Sequence, residues 1–201
     1  MKTITSILFS LLTAGLAISS TLSAQGLYPN DTAYRTQFHD RCVETREFMA
    51  RKTWSEGEDS RMRIYLGVAR IATGVDAATG LKYLEDAVND PNLTWGCFET
   101  YPLMDAVLRL GDKLPAELLA KIRVRMAKSF SDDFGFTDNH MLQFRTARYL
   151  FGQTWPDGPK LADGRTPVEA QEEAGQWIEN WIDATIARGM FEYDSPNYHQ
   201  L

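Results

Sequence analysis

Apolar residues recur along this chain at intervals of three and four, the spacing that lines one face of an α-helix. About seven such stretches follow one another. The first runs from Asp31 or Thr32 to about Met49, with Phe38, Cys42, Thr45 and Met49 on one side. The second opens on Ser55 and Glu58, which have the spacing of a capping box, and continues to Thr73 before Gly74. It places Met62, Tyr65, Leu66, Ala69 and Ile71 on a broad apolar side. A third covers residues 76–89 and is weakened by Gly80, ahead of a turn at Asp90-Pro91-Asn92. The fourth is expected over Trp95 to Leu110, closed by Gly111, and the fifth from Pro115 to about Phe130. The exposed side of the fifth carries Lys121, Arg123, Arg125 and Lys128, which read as a solvated face.

Thr137 is suited to cap the sixth stretch, in which His140, Phe144, Ala147 and Phe151 recur on one face. The seventh has the strongest local signal. Thr166 and Glu169 form a capping box around Pro167 at the first helical position, and the pattern ends at Arg188 before Gly189. No segment alternates with the period of two that a half-buried strand requires. Repeats of fixed length and heptads are also missing, which disfavours repeat arrays and coiled coils. The expected fold is therefore all-α, built of antiparallel helical hairpins that would make up a partial (α/α) toroid.

Composition changes this picture mainly at the N-terminus. Lys2, the apolar run Ile7–Ile18 and the small residue Ala24 match a cleavable signal peptide over residues 1–24, with an uncleaved N-terminal anchor as the lesser reading, which leaves 25–201 as the helical domain. Export follows, to a secreted or periplasmic location, with no membrane span after cleavage. Cys42 and Cys97 could pair in such a setting or remain buried thiols. Loss of residues 1–24 removes Lys2 and no acidic residue, so 21 basic residues become 20 against 27 acidic ones, a net charge of −7. That balance argues against nucleic acid as a partner. Two cysteines and three histidines match no zinc spacing, and neither a metal nor a cofactor is expected.

The chemistry concentrates at two places. Asp138, Asn139 and His140 fall in the first turn of the sixth helix, where free N–H groups and the helix dipole favour an anion. The second place is the segment Met190–Gln200, with Phe191, Glu192, Tyr193, Asp194, Pro196 and Tyr198. Together with Tyr149-Leu150-Phe151-Gly152, the loop Gln153–Asp157 and a helix carrying Trp177 and Trp181, these resemble secreted α/α-toroid proteins of the alginate lyase and heparinase II/III type. The resemblance spans about residues 136–199. Asp138 and Asp194 depart from it, standing where Glu or Asn and where Asn are expected.

The resemblance implies β-elimination on a uronic-acid-containing polysaccharide. Asn139 and His140 would neutralise the substrate carboxylate, and Tyr198 or Tyr193 would remove the proton from the neighbouring carbon. Trp155, Trp177 and Trp181 would stack on sugar rings, with Asp138, Glu192 and Asp194 as further substrate contacts. Two other readings stay open at this point. One is glycoside hydrolysis by the Glu192–Asp194 carboxylate pair, and the other a non-catalytic helical binding module. The family continues past the matching segment, so the chain is expected to be an N-terminal fragment, weakly active alone and prone to self-association through its truncated face.

Overall fold

A computed structural model describes residues 32–55, 61–91, 97–130 and 137–188. These residues are all-helical, in the order α1 (Thr32–Arg51), α2 (Arg61–Thr73), α3 (Ala77–Asn89), α4 (Cys97–Leu110), α5 (Ala116–Ser129), α6 (Asp138–Thr154) and α7 (Pro167–Arg188). The chain forms two compact units, Met1–Arg46 and Glu47–Leu201. In the first, Phe38, Arg41, Cys42, Thr45 and Arg46 of α1 line a shallow depression. On the apolar side expected for that helix, Phe38 and Cys42 are exposed and Met49 is half-buried. Cys42 is exposed and Cys97 is buried, and both thiols are free. The expected signal peptide, the Glu58 half of the Ser55 box, Trp95 and the segment after Arg188 lie outside the described residues.

The second unit is built of hairpins in two layers. Within each hairpin the partners run antiparallel: Gly67 of α2 meets Gly80 of α3, Glu99 of α4 meets Arg125 of α5, and Gly152 of α6 meets Pro167 of α7. Helices α2, α4 and α6 also pack side by side, α4 touching both neighbours. They make one layer; α3 and α5 pack on α2 and α4 as an outer layer, and α7 packs on α6. Between the layers sits the core of Ile64, Leu84, Leu103, Met104, Ile122, Met126, Phe130, Phe144 and Phe151. Phe130, at the end of α5, packs edge-on against Phe144 and Phe151, with centroids 5.5 and 5.4 Å away.

Local signals account for most of the helix ends. Gly74 (φ 75°) follows α2, and Asp76 in the left-handed region (φ 49°) caps α3 by accepting from the Thr79 amide. The capping box of α7 is complete. Glu169 Oε2 accepts from the Thr166 amide at 2.8 Å, and Thr166 Oγ1 accepts from the Glu169 amide at 3.3 Å. Replacing Thr166 with alanine is expected to cost about 1–2 kcal/mol, measured as a lower denaturation midpoint with unchanged denaturant slope. An unaltered midpoint would remove the box from the account of this helix.

Four features differ from the sequence reading. Gly80, read from the sequence as a weak point of α3, lets that helix approach α2. A Cβ there would lie 2.9 Å from both the Gly67 carbonyl oxygen and Arg70 Cβ. The basic side of α5 is largely engaged rather than simply solvated. Lys121 Nζ reaches Glu85 at 2.7 Å and Glu117 at 3.1 Å, and Arg125 Nε donates to the buried Glu99 at 2.5 Å. After α4 the chain passes through a 3-10 turn, Gly111–Lys113, instead of stopping at Gly111. Tyr65, expected on an apolar side, is 44% exposed.

Candidate functional site

The described first turns of α2, α4 and α6 lie together at one end of their layer. Thr137 caps α6 from extended backbone (φ −131°, ψ 153°), its Oγ1 accepting from the His140 amide at 3.4 Å. This fixes Asp138, Asn139 and His140 in the opening turn. Asp138 is exposed, while Asn139 and His140 are half-buried. Asn139 Oδ1 accepts from Gln143 Nε2 at 2.7 Å, so the amide is oriented by its own helix. The His140 ring meets Phe98 of α4 edge-to-face, at 4.8 Å between centroids and 76° between planes. From the other side the Arg61 guanidinium of α2 lies 4.7 Å from the centre of the same Phe98 ring. Phe98 thus bridges a cation and an imidazole from two neighbouring helices.

What flanks Phe98 is buried. Cys97 is 1% exposed, and burial pushes its thiol above the ordinary value, which leaves it a packing residue rather than a nucleophile. Glu99 is fully buried, held by Arg125 and, at 3.4 Å, by the Ser129 hydroxyl. Burial raises its carboxyl above the usual glutamate value, opposed by Arg125 and Ser129 and assisted by the charge of Asp90. Pro102 lies inside α4 and lacks the N–H that the Phe98 carbonyl would otherwise accept.

The structure brings Asn139 and His140 together with Arg61, Phe98 and Gln143. Of the three tryptophans expected to help them, Trp155 and Trp177 are placed elsewhere. Trp155 follows His140 by nearly the whole of α6, about 22 Å at 1.5 Å per residue. It packs on Phe151, 5.1 Å between centroids. Trp177 is on α7, beneath the Arg145 guanidinium at 5.9 Å. Arg145 and Arg148 face α7, whereas Phe144 and Ala147, which share a face with His140, lie in the core, so Trp177 is on another side of α6. Glu192, Tyr193, Asp194 and Tyr198 lie outside the described residues.

Arg61 and Phe98 escaped the sequence reading although one signal pointed at them. In a succession of antiparallel hairpins every second helix runs the same way, so the starts of the second, fourth and sixth helices must gather at one end.

Chemically, the rim offers an Arg guanidinium, an imidazole, two side-chain amides and the positive end of α6. That set recognises a carboxylate or another oxyanion. Among the described residues no group of His, Cys, Asp and Glu is placed to hold a metal ion, and no helix is long and apolar enough to cross a membrane. The chain matches no family model, and no curated protein or solved structure is significantly similar to it.

Proposed function

We propose that this protein acts on a uronic-acid-containing polysaccharide, by lyase-like β-elimination, at the rim formed by the starts of α2, α4 and α6. The observation that carries the reading is the contact of Arg61 and His140 across Phe98, a concentration of anion-binding groups in a chain of net charge −6. The two-layer succession of hairpins supports the partial (α/α) toroid, in which such a rim would border the cleft. In this reading Asn139 and His140 donate to the carboxylate and stabilise the charge that builds when the adjacent proton leaves. Tyr193 or Tyr198 removes that proton and returns it to the departing sugar oxygen. Export, from the pattern of residues 1–24, would put the protein where such polymers occur.

The test is the ultraviolet absorbance of unsaturated uronate released from alginate, heparan-type and pectic polymers. Turnover is expected from the chain, falling by about 10²-fold in His140→Ala, the scale of one lost transition-state donor. Turnover unaffected by that substitution would refute the site. One observation favours a second reading, a non-catalytic glycan-binding module: the His140 ring is half-buried and committed to Phe98. Binding of acidic oligosaccharides without any release of unsaturated product would select it.

A further inference from the structure

We propose that Tyr65 and Tyr101 form a floor on which consecutive sugar rings of an acidic glycan stack, with Arg61 holding a uronate carboxylate at its edge. The proposal rests on the carbohydrate reading above and names the residues that bind the chain of sugars beside the rim. Tyr65 follows Arg61 by four residues on α2, and Tyr101 follows Phe98 by three on α4, so both lie about one turn below the Arg61–Phe98–His140 row. Both point away from the outer layer. On α2, Arg63, Gly67 and Arg70 face α3 or its caps, and Tyr65 is on the opposite side. On α4, Glu99 faces α5, and Tyr101 is again opposite.

The two rings remain 44% and 41% exposed, and Leu108, two turns after Tyr101 on the same side, is 52% exposed. One exposed aromatic is ordinary, because folded surfaces are largely apolar. A pair at one level on adjacent parallel helices, one turn below Arg61 and Phe98, makes a surface with apolar faces and polar edges. A sugar ring has the same make-up, C–H faces and hydroxyl edges. An anion suits the rim end, because Arg61 and the first turn of α6 are positive there, against the single exposed carboxylate of Asp138 in that turn.

Calorimetric titration with oligouronates from alginate and pectin tests this, with cello-oligosaccharide as the neutral control. Tyr65→Ala and Tyr101→Ala are each expected to raise Kd about three- to tenfold, as loss of one aromatic packing partner does. Tyr→Phe at either position should keep the wild-type Kd. Arg61→Gln should erase the preference for uronate over the neutral control. Should an alanine variant lose helix content by circular dichroism, the leucine variant, bulky but without a flat ring, carries the same expectation. Unchanged Kd in both tyrosine variants, with binding still lost in His140→Ala, overturns the stacking floor and leaves the functional reading standing. No oligouronate binding by the wild type overturns both.

Discussion

Arg148→Ala is expected to destabilise the fold by about 3–5 kcal/mol, the usual loss when one member of a buried ion pair is removed. The Arg148 side chain is 1% exposed and donates to Asp163, which is fully buried. Arg148 Nε also lies 3.3 Å from Glu173 of α7, and Arg145 pairs with the other oxygen of that carboxylate. Arg165 completes the group, its amide and guanidinium donating to Asp163 at 3.0 and 2.7 Å. One guanidinium thus ties α6, the loop before α7, and α7 itself. Without it the buried Asp163 carboxylate retains, among the described residues, Arg165, which is itself partly exposed. Replacing both members, Arg148→Met with Asp163→Leu, should cost less than the single change, because no uncompensated charge then remains inside. Urea denaturation of the three proteins measures the order.

The same cluster sets an acid limb of stability. Burial by itself would raise the Asp163 carboxyl, but the Arg165 amide and the Arg148 and Arg165 guanidinia outweigh it and hold it below the ordinary value of 3.8. A depressed carboxyl stabilises the fold fully above 3.8, and that contribution is lost as pH falls through the lower folded value. The decline in this range should be shallower in Arg148→Ala, whose Asp163 has fewer donors to lose.

Gly152→Ala should cost about 3 kcal/mol, although alanine is the better helix former. A Cβ at this position would collide with the backbone carbonyl of Pro167 and lie 2.6 Å from Gln171 Cβ. Backbone cannot rotate away as a side-chain tip can, so α6 and α7 must separate, and the Arg148 cluster beside them would be strained. Gly111→Ala is the control. Nothing lies within 4 Å of a Cβ there and its φ is not positive, so a change of less than about 1 kcal/mol is expected. Equal thermal midpoints for the two variants would show that the α6–α7 approach is not close.

What the sequence revealed and what it hid divide along one physical line. The Thr137 cap and the Thr166–Glu169 box depend on residues within one turn, and both could be read directly. The helix-only architecture came from periodicity, which is equally local. Gly80 looked like a flaw because its value depends on Gly67, in another helix. The basic residues of α5 looked solvated because their partners, Glu85 and Glu99, are 36 and 26 residues away. Tyr65 was assigned to an apolar side because periodicity marks a face without saying whether anything covers it. At the site, Asn139 and His140 were legible from their place in a capped first turn. Arg61 and Phe98 were not, since they join the rim only through the packing of one hairpin on the next.

A crystal structure of the chain soaked or co-crystallised with an oligouronate tests the central claim most directly. The account predicts a sugar carboxylate within hydrogen-bond distance of Asn139, His140 or Arg61, and sugar rings lying over Tyr65 and Tyr101. An oligouronate bound on the α7 surface around Trp177 and Trp181, with the rim of α2, α4 and α6 unoccupied, would contradict it.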